Sequence, residues 1–258
     1  MISREIFDAI VEKANGLAYS SMSYIDFDDC ESAEILHDDD DFIFLRDKSK
    51  SPAMLYFAAN DFVAVVNAIA GLSGSLRLHF VPRRYDAELK ELGFIEWAEF
   101  VDFWNDDITK TASRFDGMSE AEYLSENECK EATEVSKRCE LQSRGFEAIT
   151  AELFSQWLRE GKVIICRKNS AIVGFCSISI YNEGTILWIR AIAVDPVYQG
   201  QGIGKKLMEQ AIISGVQKGA AKGFLASDLL NTNAHSLFTK YDFCAKDAES
   251  ELQMVRII

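Results

Sequence analysis

The stretch Ala191-Ile192-Ala193-Val194-Asp195-Pro196-Val197-Tyr198-Gln199-Gly200-Gln201-Gly202-Ile203-Gly204 decides the fold. Apolar and β-branched residues from Thr185 to Val194 read as a strand, and Lys205 to Lys218 carries helical spacing. Between them, glycines at positions 200, 202 and 204 let the main chain adopt positive φ and approach a ligand closely. A strand end, a glycine turn and a helix start gather unpaired backbone N–H groups and the positive end of a helix dipole at one point. That arrangement suits an anion such as a diphosphate.

Rival glycine motifs fit less well. A dinucleotide fold needs G-x-G-x-x-G early in a βαβ unit, with an acidic residue about twenty positions on. Here Lys206 and Leu207 follow Gly204, and the turn lies late in the chain. A P-loop needs G-x-x-x-x-G-K-[ST], which is absent. A purely structural turn is the plain alternative, and the alternate glycines at a helix entrance weigh against it.

Around this turn the second half reads as helices at Glu126 to Arg144 and Thr150 to Arg159, then strands at Val163 to Arg167 and Ile172 to Ile180 joined by Lys168-Asn169-Ser170. After the turn come a helix, a strand Gly223 to Leu229, a helix Asn233 to Lys240 and a final strand Glu251 to Ile257. The first half opens on an amphipathic helix ending near Asn15-Gly16. It then alternates Phe42 to Leu45, Ala53 to Phe57, a helical Asp61 to Ala70, Leu76 to Val81, a helical Arg84 to Leu92 and a strand Phe94 to Phe103. The polar run Asn105 to Ser119 marks a boundary, giving domains 1–116 and 117–258. The expected class is α/β, mixed and α+β-like.

The chain has 258 residues, with 27 Lys+Arg against 41 Asp+Glu and a net charge of −14, so a nucleic-acid partner, which needs a basic stripe, is not expected. No apolar run approaches the ~20 residues that cross a bilayer, and the first residues lack a basic segment followed by an apolar one, so neither membrane association nor secretion is expected. Six cysteines without a C-x-x-C pair read as free thiols of a cytoplasmic protein. The acidic run His37 to Asp41 lacks the glycine and closing glutamate of a calcium loop, so no metal is expected.

The stretch quoted at the outset resembles the acetyl-CoA-binding motif of the GNAT superfamily of N-acetyltransferases, R/Q-x-x-G-x-G/A after a V-D-P turn. Asn231, Ala234, Leu237, Phe238, Lys240 and Phe243 resemble its second motif, N-x-x-A-x-x-L-Y-x-K-x-G-F. The resemblance implies a central mixed sheet flanked by helices and acetyl-CoA as cosubstrate. It implies that the main chain of Ile192, Ala193 and Val194 pairs with the pantetheine arm like an added strand. Amides from Gln199, Gly200, Gln201, Gly202, Ile203, Gly204 and Lys205 would hold the diphosphate, with Asn231, Ala234 and Phe238 beside the cofactor. An amine would then attack the thioester directly, with proximity supplying much of the rate.

Departures from the family fall on the acid and base. Phe238 stands where many members carry the tyrosine that protonates the leaving thiolate, and Tyr241 is the candidate substitute, nearly a helical turn away. Arg190 stands where members place a carboxylate base. It reads either as a receptor for a substrate carboxylate or as a strand arginine paired with Glu183 or Asp228, and Asp228 and Glu183 are the remaining candidate bases. Asp242 replaces the glycine of G-F and tolerates a left-handed turn. Cys176, Cys244 and His79 read as packing residues and His235 as a surface helix position, rather than as chemistry. The first half parallels the second as a degenerate GNAT-like copy, with Ala58-Ala59-Asn60-Asp61 in place of the glycine turn and hence no diphosphate site. The sequence therefore predicts an N-acetyltransferase for a primary amine, of a small amino-acid-like metabolite, in a monomer or homodimer. The alternative is a CoA-binding regulatory module without turnover.

Overall fold

The computed structural model describes residues 2–22, 25, 27–115, 120–246 and 249–258. The chain forms two compact units, Met1–Phe100 with Glu249–Ile258, and Val101–Ala248. The boundary read between residues 116 and 117 lies outside the described residues. Two features of the division differ from the sequence reading. The units part inside a strand, and the final strand belongs with the first unit because both its neighbours are there.

The elements run α1 (Arg4–Ala14), β1 (Tyr19–Ser20), α2 (Phe27–Cys30), β2 (Glu34–Asp38), β3 (Phe42–Asp47), β4 (Ala53–Ala59), α3 (Phe62–Ala70), β5 (Leu76–Pro82), α4 (Asp86–Glu91) and β6 (Ile95–Asn105). They continue with α5 (Ile108–Ala112), β7 (Glu122–Tyr123), α6 (Cys129–Cys139), α7 (Ala151–Glu160), β8 (Lys162–Lys168), β9 (Ala171–Tyr181), β10 (Ile186–Val194), α8 (Ile203–Gln217), β11 (Lys222–Asp228), α9 (Thr232–Thr239), β12 (Cys244–Ala245) and β13 (Glu251–Arg256). The polar run after Asn105 contains α5, which Asp107 caps by accepting from the Lys110 amide at 3.1 Å. Of the acidic run, His37 and Asp38 end β2. Asp39 Oδ1 then accepts from the amides of Asp41 and Phe42 at 2.9 and 2.7 Å, closing the turn into β3.

In the first unit β2, β3 and β4 are antiparallel, and β13 lies between β5 and the first half of β6, antiparallel to both. Strand β4 runs parallel to β5 only from Ala53↔Leu76 to Leu55↔Leu78. Farther along, β3 still covers one edge of β4, and the other edge holds β1 through Tyr19↔Ala59 and Ser20↔Ala58. The next residue extends this contact: the Ser21 amide donates to the Phe57 carbonyl at 2.9 Å, and the Phe57 amide donates to Ser21 Oγ at 2.9 Å. Tyr19 packs edge-on against Phe62 and Tyr85. At the start of α3, Asp61 accepts from the Val63 amide at 2.9 Å, so a carboxylate already caps this helix.

In the second unit β7, β8, β9 and β10 are successive antiparallel neighbours, and β11 joins β10 in parallel. Alternation along β9 and β10 sends Cys176, Ile178, Leu187 and Ile189 to one face, where α8 covers them with Leu207, Met208, Ala211 and Ile212. Phe175, Ala191 and Ala193 point to the other face, against Ala132 and Val135 of α6 and Phe154 of α7. The result is the mixed α/β layer architecture the sequence predicts.

Candidate active site

Strand β10 keeps β9 as a partner along its whole length, from Ile186↔Tyr181 to Val194↔Gly174, with a bulge between Ile189 and Ala191 that falls on Arg190. Its partnership with β11 is shorter and ends at Trp188↔Phe224. Beyond that pair the two parallel strands diverge. The β11-facing edge of β10, which includes Ile192, Ala193 and Val194, then has no strand partner among the described residues. Unpaired main-chain donors and acceptors along a strand edge accept an extended ligand as they would another strand.

The glycine turn lies at the end of this edge. Gly200 and Gly202 have φ of +74° and +81°, a region side-chain-bearing residues rarely adopt, and a Cβ at either would meet open space. Gly202 is the N-cap of α8 and supplies no side-chain cap, so the first amides of α8 are not taken by a cap, in contrast to α3. Gly204 is different: it is not at positive φ, and a Cβ there would touch Leu237 Cδ2 at 3.5 Å. The Gln199 side chain donates to the Val194 carbonyl at 3.1 Å and ties the turn to the strand. Asp195 accepts from the Val197 amide at 3.0 Å and from Arg138 Nε of α6 at 2.6 Å. Lys205 and Lys206 are exposed, and Lys168, from the β8–β9 hairpin, donates to Gln201 Oε1 and lies 5.6 Å from the Tyr198 ring centre.

Past β11, Asn231 caps α9 by accepting from the Ala234 amide at 3.2 Å. Ala234 is half-buried, and Phe238 is buried edge-on to Phe103, 5.6 Å between ring centres. His235 donates from Nε2 to the Asp228 carbonyl at 3.0 Å and sets its ring against Phe103. Asp228 is nearly inaccessible and receives Arg144 twice, Nη2 to Oδ1 at 2.8 Å and Nε to Oδ2 at 3.3 Å. The pair sits in a cleft of about 200 Å³ with Leu141, Ser143, Leu230 and Asn231 on its walls.

The three candidate catalytic side chains thus face three different neighbours. Tyr241 is buried in the α8 face of the core and donates to Glu209 Oε1 at 2.7 Å. Burial, followed by the adjoining Glu209 carboxylate, pushes its phenol well above the ordinary range. Asp228 faces Arg144. Arg190 donates from Nε to Ser179 Oγ at 3.1 Å, with its guanidinium 4.5 Å from the centre of the Trp188 ring. Asp242 takes the left-handed conformation expected of it, φ +62°, and accepts from Thr111 Oγ1 at 2.8 Å and Arg114 Nη2 at 2.5 Å.

Burial pushes the Cys176 thiol far above its usual range, and burial with the Asp195 charge raises Cys139 to about 11, so neither is a thiolate at neutral pH. Among the described residues no group of His, Cys, Asp and Glu is arranged to hold a metal ion, and no helix is long and apolar enough to cross a membrane. Sequence reasoning missed Arg138, Arg144, Lys168 and Ser179. Arg138 carries a faint signal, a basic residue in the last turn of a helix before a polar loop. The others have none, because each meets its partner across at least eleven residues of intervening chain.

A parallel pair that parts beside a glycine turn and an uncapped helix start is a fold of the GNAT type. The family model for the acetyltransferase (GNAT) family matches residues 127–243, a stretch that lies within the second unit. Several solved structures are similar over most of the chain. A functionally unknown conserved protein from Staphylococcus epidermidis shares 15% identity at a TM-score of 0.57, covering 92% of this chain and 99% of its own. A GCN5-related N-acetyltransferase from Sphaerobacter thermophilus shares 13% at 0.54, covering 84% of this chain and 80% of its own. At such identities the likeness shows the fold alone. No curated protein matches the chain.

Proposed function

We propose that the second unit is an acetyl-CoA-dependent N-acetyltransferase for a primary amine, of a small amino-acid-like metabolite. The observation that carries this reading is the open edge of β10 leading into the glycine turn. Ile192, Ala193 and Val194 line this edge for a pantetheine arm, the Val194 carbonyl being engaged by the Gln199 side chain. The amides of Gly200 to Lys205 would hold a diphosphate, the Gln199 amide being turned to the Pro196 carbonyl at 3.4 Å, and the side-chain-free positions 200 and 202 leave room for it. Acetyl-CoA, when bound, supplies the thioester that the amine attacks. Asn231 with Ala234 holds the start of α9 beside the cleft, and Phe238 supports it from the core. Arg190 supplies positive charge suited to an acceptor carboxylate.

Phe238 has no proton to give, and Tyr241 already donates to Glu209, so neither gives a leaving thiolate its proton. The same observation favours a second reading, a CoA-binding regulatory module without turnover. Isothermal titration with acetyl-CoA tests the shared premise, and wild-type protein that fails to bind ends both readings. Thiol release across a panel of amines separates them, since only the enzyme releases thiol.

We further read the first unit as a degenerate copy of the second. Both have a parallel pair that parts after a short shared register. In the first, β1 occupies the edge that β10 leaves open, and Asp61 caps the helix start.

A further inference from the structure

Ser177 lies on β9, 1% exposed, and its hydroxyl has no hydrogen-bond partner among the described residues. Buried polar groups in folded chains are nearly always hydrogen-bonded, so an unpartnered buried hydroxyl points to a ligand that completes it. Its position identifies the kind of partner. Ser177 is in register with Ala191, the residue after the bulge at Arg190, on the β10 stretch whose other edge is open. By alternation it shares the Phe175 face with Ser179, whose Oγ accepts from Arg190 Nε. Ala191, between Ser177 and the open edge, presents only a methyl group. Two serine hydroxyls and a guanidinium, beside an alanine, therefore converge on one face next to where the thioester would lie.

We propose that Ser177, with Ser179 and Arg190, forms the docking site for the carboxylate of the acceptor, and that Ser177 is a specificity-determining residue. The acceptor class is an amine that carries a carboxylate. A planar carboxylate takes a guanidinium on one oxygen pair and still accepts from serine hydroxyls, which satisfies the orphaned Ser177 donor. The aromatic ring of Trp188, under the guanidinium, holds Arg190 in place for this role. The inference rests on the acetyltransferase reading above and adds what the acceptor must carry.

The experiment compares amino acids with their amides and with the matching amines that lack the carboxyl group, by thiol release from acetyl-CoA. Wild type should lose about tenfold or more in kcat/KM when the carboxylate is removed. Ser177→Ala should erase much of that preference by raising KM for the carboxylate acceptors alone, and Arg190→Gln should do so more strongly. Thermal unfolding supplies the second readout, because removing an unpaired buried hydroxyl leaves Tm unchanged or higher, whereas removing a structural partner lowers it. A lowered Tm for Ser177→Ala, turnover indifferent to the carboxylate, or acetyl-CoA binding without turnover of any carboxylate-bearing amine would overturn the docking site. Absence of acetyl-CoA binding would instead remove the reading beneath it.

Discussion

Arg138 and Asp195 meet at 2.6 Å, with the Asp195 side chain 5% exposed and that of Arg138 48% exposed, and the pair fixes the strand end from which the glycine turn departs. The unequal burial makes the two partners unequal. Arg138→Met leaves a carboxylate buried without its cation and should cost about 2 kcal/mol, reduced from the fully buried case because water reaches that side. Asp195→Asn keeps the acceptor for the Val197 amide and leaves an arginine free to turn to solvent, so it should cost about 1 kcal/mol or less. Urea unfolding measures both, and an Asp195→Asn loss as large as that of Arg138→Met would contradict the account.

The glycines of the turn are not equivalent. Gly202→Val forces a β-branched residue into φ +81° and should weaken acetyl-CoA binding more than tenfold, at a cost of about 1–2 kcal/mol. Gly204→Ala adds a methyl group at an ordinary distance from Leu237 and should bind within about threefold of wild type. Titration calorimetry on the two variants distinguishes a conformational requirement from a general intolerance of side chains in the turn.

Tyr241→Phe tests whether the phenol takes part in chemistry. With its proton donated to Glu209, the substitution should leave kcat within about threefold, where loss of a general acid removes 10²-fold or more. The alkaline limb of stability should also respond. A phenol whose folded pKa lies above its unfolded value of about 10 contributes stability that is complete below pH 10 and is lost as pH rises toward the folded value. Wild type should therefore lose stability above pH 10 more steeply than Tyr241→Phe, as followed by denaturation at fixed pH values.

One cofactor should bind per chain. In the first unit the β4 edge equivalent to the open edge of β10 is taken by Tyr19, Ser20 and Ser21, and Asp61 opposes an anion at α3. A calorimetric stoichiometry of two would refute that equivalence.

The glycine turn was legible because its requirements are local: positive φ at Gly200 and Gly202 and a helix start at Ile203 are written in adjacent residues. Asp242, too, declares its left-handed turn by its residue type. What stayed hidden depends on partners far along the chain. The period of Glu251–Arg256 announces a strand but does not say that its neighbours are β5 and β6. Strand β1 has two residues, too short for any period. The commitment of Asp228 to Arg144 and of Tyr241 to Glu209 spans 84 and 32 residues, so side chains that look chemically available in the sequence are already engaged in the fold.

The position of β13 has a consequence for biosynthesis. Strands β5 and β6 flank β13 rather than each other, so the first unit, although mostly encoded early, cannot close its sheet until residue 256 has left the ribosome. Until then those two strands expose unpaired edges, a state that invites chaperones and aggregation alike. The portion of the chain made first thereby completes its sheet only after the whole of the second unit has been synthesised.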